Sequence, residues 1–599
     1  MKGFSKSGAS AVALLLGFSA NAQLSYAVAD GSTQAKIRIT LSYKAKGDVS
    51  MVQMPNWAPG SYRYANNWRQ VSALTVLVDG LSGTPTKDTV GKVPEVVTWS
   101  FPSKKGQTVS VSYEADSKFA NGVGHYSGPS TYMYPVGRTQ EPCTLNFNFT
   151  KPTNIAIGLN PIKENFSYKA STYDHLADNP VTFGDYILDV YMQRGKAHYI
   201  AYRGPLSAVE AVDREYVKKA CAFISQMQGD FFGGAPYDRY VWHFTVNAGA
   251  DGAGGLEHLS STEISMASGV GPGVVGVYSH EFFHLWNVKR IRSQPLGPFD
   301  YTTMPQTGAL WWLEGVTDYF GHMLLGRYGW YGNNERQANA TEKMYATLLQ
   351  NMTSVRSNAE RFNISPYDAS YRVREAAGGV GNSNGFGVSY YNTGFLCGFA
   401  FDVELLHQTN GKRSLDDVEK ALYEMCKDNR PGFEEGEIRT QLVKFGGAPL
   451  GDMYDKIILK PGEIPVEAQL AKLGYELKDV EESYGKVPFT LNPSPDDRAM
   501  KVISSDIEGL KIGDLITKIN SVDLNSDQAN TLRRNYAGLT RSNKVGEKWI
   551  VTVKSGDESK VVNVEIVAGL RKLKKVVSMD KVSPVQFALR KKFESAKRN

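Results

Sequence analysis

Residues 280–284 read His-Glu-Phe-Phe-His. On an α-helix, positions four apart lie on one face, a turn above each other. His280 and His284 can therefore reach one metal ion, and Glu281 leans toward the same side. Glu314 follows downstream, inside Trp312-Leu313-Glu314-Gly315-Val316-Thr317-Asp318-Tyr319. Two imidazoles and a distant carboxylate make an open three-ligand zinc site whose fourth position holds water. The bare H-E-x-x-H pattern also occurs on surface helices of unrelated proteins. Glu314 adds the third ligand. Asp318, four residues on, can accept the free N–H of a bound imidazole, that of His280, and fix its tautomer. Ligand type alone does not separate zinc from cobalt or manganese, but a His₂Glu set favours zinc.

At 599 residues the chain is too long for one core, and three or four domains are expected. A hydrophobic content of 42% and a charged content of 21% exclude a disordered or membrane-embedded chain. Lys2 and Lys6, the apolar stretch from Ala9 to Phe18, and Ala20-Asn21-Ala22 follow in the order of a secretory signal over residues 1–22. The stretch is too short to span a bilayer. A bacterial secreted or periplasmic protein is expected, with no transmembrane segment after signal removal.

The four cysteines, Cys143, Cys221, Cys397 and Cys426, show no C-x-x-C spacing and are poor metal or redox candidates. Cys221, Cys397 and Cys426 fall in apolar helical patterns and read as core residues. The net charge of +6 is concentrated after Arg571, where ten Lys/Arg stand against two Asp/Glu. That tail reads as a solvated extension, with an anionic membrane or cell-wall surface as the alternative. No nucleic-acid reader motif accompanies it, so nucleic acid is excluded as a partner.

The pattern is that of a multidomain α+β chain. Residues 23–190 alternate with period two, as in Ala35–Tyr43, Val109–Tyr113 and Leu145–Phe149, and predict an antiparallel β-sandwich-like domain. Over 191–462 a strand at Tyr240–Val246 leads to Gly254-Gly255-Leu256-Glu257-His258. A Gly/Pro-rich segment at Gly269–Gly276 and long helices follow, so this part is a mostly α domain around the metal motif. Residues 463–570 return to strands and short helices, and 571–599 form the basic tail. Leu510-Lys511-Ile512-Gly513-Asp514-Leu515-Ile516-Thr517-Lys518-Ile519-Asn520 resembles the core of PDZ domains. The carboxylate-binding loop of that fold is not recognisable, unless it is near Val487-Pro488-Phe489.

The metal set resembles that of gluzincins, zinc peptidases with H-E-x-x-H and a distal Glu. Gly-Gly-Leu-Glu-His at 254–258 resembles the G-x-M-E-N motif of M1 aminopeptidases, and Tyr391-x-x-Gly394 resembles their Y-E-K-G segment. The M61 glycyl aminopeptidase family matches best. Its signatures stand here as Pro55-Asn56-Trp57-Ala58-Pro59-Gly60-Ser61-Tyr62, His280 through Arg292, and Trp312-Leu313-Glu314-Gly315. The resemblance implies a β-rich N-terminal domain, a thermolysin-like catalytic domain and a PDZ domain. It implies one zinc held by His280, His284 and Glu314, with Glu281 as general base and Tyr391 on the oxyanion. Glu257 would bind the free α-ammonium of a peptide substrate, and Gly254 and Gly255 would bring backbone close to it. Gly or Ala would be the residue removed.

Three departures stand out. The spacing between His284 and Glu314 exceeds that of M1 enzymes, with Pro295, Pro298 and Pro305 in the inserted loop. His258 replaces the motif's Asn, and Asn392-Thr393 replace Glu-Lys. Lys289, Arg290 and Arg292 read either as a site for a substrate carboxylate or as a solvated helix end. Two other functions stay open: a thermolysin-like endopeptidase, in which Glu257 is structural, and a non-catalytic periplasmic protein that binds ligands through its PDZ and β domains.

Overall fold

A computed structural model describes residues 23–598 apart from 62, 93, 152, 248–252, 268–273, 331–338, 374–387, 429, 495, 525–531, 534–535, 537–538, 541–542, 556–557 and 597. The expected signal at 1–22, Tyr62 of the 55–62 signature, and most of the Gly/Pro-rich segment lie outside the described residues.

The N-terminal part is a β domain. Its largest sheet has eight strands, with Leu24–Asp30, Lys36–Lys44 and Thr108–Asp116 at the centre. Pairing is antiparallel except where Leu24–Asp30 runs parallel to Cys143–Phe147. Side chains alternate across a strand, so Ile37, Ile39 and Leu41 face one way and are fully buried, opposite Val111 and Tyr113. Each such burial is worth about 1.5–3 kcal/mol. A four-stranded and a three-stranded sheet complete the domain.

A five-stranded sheet follows, in the order Ile187–Gln193, Lys196–Arg203, Arg239–Asn247, Ser261–Ala267, Ala253–Glu257. The boundary expected at 190 falls inside its first strand. The middle region is otherwise helical. The helices Arg214–Phe232, Val275–Phe283, Thr317–Arg327 and Tyr390–Gln408 share one apolar core with the sheet. All four cysteines are buried and unpaired.

Two further expectations change. The helix Val466–Lys472 buries Val466 and Leu470 in the core of the middle region, so that core extends past 463. The basic tail is not a solvated extension. Val567–Ser578 pairs along its length with Tyr475–Lys486, and the helix Pro584–Phe593 returns to bury Leu589 and Phe593 in the same core. The charges of the tail are engaged as well: Arg571 and Lys575 pair with Glu482 and Lys574 with Asp479 across the two strands, Arg590 donates to the Leu473 and Gly474 carbonyls, and Arg598 is buried against Asp402. Between these two returns lies a separate antiparallel sheet with its own core of Phe489, Met500, Val502, Ile516, Trp549 and Val551.

Candidate metal centre

The helix Val275–Phe283 carries His280 and Glu281, and His284 caps it. Glu314 comes from a π-helical turn, Trp311–Val316, that runs into the helix Thr317–Arg327. Such turns cluster at functional sites because they re-aim a side chain within a continuous helix. His284 Nε2 lies 2.9 Å from His280 Nε2 and 3.2 Å from Glu314 Oε2, and the third edge, His280 to Glu314, is 3.5 Å. A tetrahedral ion with bonds of about 2.0–2.1 Å needs ligand–ligand edges of about 3.3 Å. The donor set and its spacing fit zinc.

Second contacts aim these donors. His284 Nδ1 donates to the Asn287 carbonyl at 2.7 Å, which leaves Nε2 as the free lone pair. Asp318 Oδ1 lies 3.4 Å from His280 Nδ1. The Asn287 side chain donates to Trp312 O at 3.1 Å and to Thr317 Oγ1 at 3.0 Å, and so ties the histidine segment to the Glu314 segment. The next residue, Val288, has φ 133°. A β-branched residue there is a strained outlier of the kind that gathers at active sites.

The electrostatics are those of an acidic pit. Burial pushes the Glu281 carboxyl up to about 7, against the pull of His280 and His284 and with the repulsion of Glu257 and Glu314. Burial also opposes ionisation of Glu314, but His284 and His280 hold it down to about 2. One oxygen of Glu281 and one of Glu314 have no hydrogen-bond partner. Glu257, Glu281 and His284 converge as a second group that shares His284 with the first. A divalent cation is the species that would balance these carboxylates.

Glu257 closes the edge strand Ala253–Glu257 beside the H-E-x-x-H helix and is 7% exposed. Gly255 is required there, since a Cβ would stand 2.4 Å from the Glu281 carboxyl carbon; Gly254 meets nothing. Tyr391 lies in the first turn of Tyr390–Gln408, capped by Ser389, with its ring 6.0 Å from that of His280. The glycine of Tyr391-x-x-Gly394 has a packing reason. A Cβ on Gly394 would sit 2.0 Å from Trp311 O, and one on Gly315 would sit 2.5 Å from Gly394 Cα. The two glycines let the Glu314 turn and the Tyr391 helix cross in contact.

Of the basic side chains that follow the motif, Lys289 and Arg290 are not a solvated helix end. Lys289 is neither solvated nor free. Its Nζ lies 2.8 Å from Asp178 of the β domain and 4.0 Å from Glu257. Arg290 donates to the Leu285 and Pro236 carbonyls. His258 stands between Asp178, at 3.2 Å, and Glu263, at 3.4 Å. The inserted loop is ordered against the β domain, with Trp57 Nε1 donating to Asp300 O and Asn56 N to Tyr301 O, each at 2.9 Å.

Comparison with known proteins agrees with this geometry. The family model for the M61 glycyl aminopeptidase matches residues 273–397, and that for the Peptidase M61 N-terminal domain matches residues 26–185. No curated protein sequence matches. An aminopeptidase N family protein from Idiomarina loihiensis has the same fold, with a TM-score of 0.70 and 18% identity over 94% of this chain and 99% of that one. Yeast LTA4 hydrolase (TM-score 0.46, 12% identity, 76% of this chain and 70% of that one) is also similar. So is the M1 zinc metallopeptidase of Deinococcus radiodurans (0.45, 12%, 74% and 95%). The chain carries an M61 N-terminal domain and an M61 glycyl aminopeptidase domain, and so is a peptidase of the M61 family.

Proposed function

We propose that this protein is an aminopeptidase that removes small N-terminal residues, Gly or Ala, from peptides, with one zinc held by His280, His284 and Glu314. The observation that carries the reading is the position of Glu257. It is a buried carboxylate next to Glu281, 4.0 Å from a lysine already paired with Asp178. A free α-ammonium gives it an oriented ion pair, and an N-blocked peptide would leave its charge unmatched.

When bound, zinc polarises the scissile carbonyl and acidifies water. The chain's residues do the rest. Glu281, buried beside the metal donors with one unpartnered oxygen, takes the proton from water and passes it to the leaving amine. The Tyr391 hydroxyl donates to the oxyanion as charge develops. Asp318 and the Asn287 carbonyl hold the two imidazoles in their tautomers, and Gly254 and Gly255 present backbone to the peptide. Gly- and Ala-p-nitroanilide should be cleaved at least about 100-fold faster than their N-acetylated forms, as expected when a buried charge loses its partner. Equal rates would reject the exopeptidase reading in favour of an endopeptidase.

Residues 1–22 are proposed as a signal that directs export to the periplasm or beyond. Exported protein should begin at Gln23 on N-terminal sequencing. The 489–566 sheet is proposed as PDZ-like on the strength of the 509–520 motif, with a peptide or protein ligand.

A further inference from the structure

Among the described residues, Lys289 is the one lysine or arginine within 4.0 Å of the Glu257 carboxylate. Its Nζ stands 4.0 Å from Glu257 Oε1, beyond hydrogen-bond reach, and 2.8 Å from Asp178 Oδ1. All three side chains are buried. One ammonium thus lies between two carboxylates, and the carboxylate of the β domain has taken it.

Asp178 is well placed to keep it. It ends the helix Tyr173–Ala177 and grips the chain just past Glu257. Leu259 N donates to its Oδ2 at 2.8 Å, and His258 Nδ1 lies 3.2 Å from its Oδ1. Burial opposes a charge on Asp178, but Lys289 and His258 hold its carboxyl well below the usual range. Burial opposes the charge on Lys289 as well, and Asp178 and Glu257 restore it. The Lys289 backbone is tied, with its N donating to His284 O at 3.1 Å. What can move is the flexible four-carbon stem.

A swing of about 1 Å would turn the 4.0 Å separation from Glu257 into a charge-assisted hydrogen bond of about 2.7–2.9 Å. The lysine ammonium and the α-ammonium of a peptide are the same chemical group, so they compete for that carboxylate. A tethered competitor acts at an effective concentration on the order of millimolar, enough to rival a substrate with a KM of roughly 1 μM–1 mM.

We propose that Asp178 is a positioning residue: by holding Lys289 it keeps the Glu257 carboxylate open to the substrate's ammonium. This rests on the aminopeptidase reading above and adds the pair that keeps its recognition site unoccupied. It also gives the β domain a part in substrate binding, exerted through a side chain that does not touch the peptide. Without the Asp178 charge, the enzyme would be inhibited by its own lysine.

The test uses the full zinc-loaded protein and Ala-p-nitroanilide. kcat and KM are measured for the wild type, Asp178→Asn, Lys289→Met and the double variant. Asp178→Asn releases the lysine, and a Glu257 occupied about nine-tenths of the time raises the apparent KM about tenfold. kcat should change by less than about twofold, because saturating substrate displaces the lysine. Adding Lys289→Met to Asp178→Asn should recover the full KM, whereas the same substitution in the wild-type background should lower KM by much less. Two independent structural losses would add instead. Lys289→Arg keeps Asp178 and is decisive where Asp178→Asn does not melt cooperatively: the guanidinium fork can span both carboxylates, so KM should rise here too. An unmoved KM in Asp178→Asn, or additive effects in the double variant, would overturn the proposal. With Asp178→Asn unfolded, an unmoved KM in Lys289→Arg would do the same. N-acetyl-Ala-p-nitroanilide on the wild type is the separate control. Its cleavage at the free rate would sink the aminopeptidase reading itself, whereas a wild type that still rejects it, with KM unmoved in the variants, sinks only the role of Asp178.

Discussion

Two of the buried charge clusters in the middle region are built in opposite ways. Around Asp402 every carboxylate oxygen is taken. Arg598 Nη1 reaches its two oxygens at 2.6 and 2.7 Å, Arg327 lies at 2.7 Å, the Tyr319 hydroxyl at 2.5 Å and Leu415 N at 3.0 Å. Asp416 supplies the second negative charge, 3.3 Å from Arg327. Two guanidinium groups face two carboxylates, and the cluster is neutral. Around Glu314 the oxygens are not all taken: Glu257, Glu281 and Glu314 are buried beside His280 and His284, with one lysine at the edge that Asp178 engages, and one oxygen each of Glu281 and Glu314 has no hydrogen-bond partner. Burying unmatched charge costs several kcal/mol per ion. A fold that keeps such a site has built it for a ligand, while the Asp402 cluster holds chain segments together.

The sharpest way to break this contrast is to remove one carboxylate from each cluster. Glu281→Gln keeps the shape of the pit and removes the proton acceptor. kcat should fall about 10²–10⁴-fold, the usual contribution of a general base, with zinc content by elemental analysis unchanged. Full activity would take Glu281 out of the mechanism; loss of zinc would make it part of the ligand set.

Asp402→Ala should act on stability. It leaves Arg327 and Arg598 buried without their shared acceptor, a change that costs about 3–5 kcal/mol, read as a lower urea midpoint with the same slope. The same loss predicts that the last segment, which delivers Arg598 through the Pro584–Phe593 helix, cannot be detached without weakening the catalytic core.

How far these clusters could be read in the sequence differs for physical reasons. The convergence of His280 and His284, and of Glu314 and Asp318, follows from helical spacing, a local property. Glu257 and Tyr391 have no such local mark and were legible only through the likeness of 254–258 and 391–394 to family motifs. Asp178, Lys289 and His258 meet across a domain interface from separate stretches of chain, and nothing in their neighbours announces it. The segment after 571 misled because its Lys and Arg dominate the composition. Leu589, Phe593 and Arg598, which do the anchoring, are a minority within it. The β-rich class of 23–190 was legible from alternation. Its end was not, because the next element is again a strand, Ile187–Gln193.

The interface network sharpens the comparison with pH. Burial works against a charge on His258, but its contacts with Asp178 and Glu263 prevail and raise it to about 9. A histidine raised in the folded state stabilises fully below its unfolded value of about 6.5, and that contribution is lost as pH rises through the folded value. Across that window the wild type should lose on the order of 2–3 kcal/mol from this group, and His258→Gln should flatten the profile. Burial also pushes the carboxyls of Glu281 and Glu419 up, to about 7 and about 8. They too lose stability as pH rises, but equally in both proteins, so the difference between the two curves isolates His258. Parallel profiles would mean that Lys289 and Leu259 N hold Asp178 without a charge on His258.

The smallest effect expected comes from a pair with equally good geometry and no burial. Arg356 grips Glu467 through two bonds of 2.6 and 2.7 Å, as close as the guanidinium contacts to Asp402, but the two side chains are 33% and 48% exposed. Water already solvates both groups when the pair is broken, so removing one strands nothing. Arg356→Ala should cost about 1 kcal/mol or less. Even that should fade in 1 M salt, where screening acts over about 3 Å, while the cost of Asp402→Ala should barely move. If the exposed pair proved as costly as the buried one, contact distance rather than desolvation would set the scale. The unpartnered oxygens of Glu281 and Glu314 would then no longer be an argument for a cation.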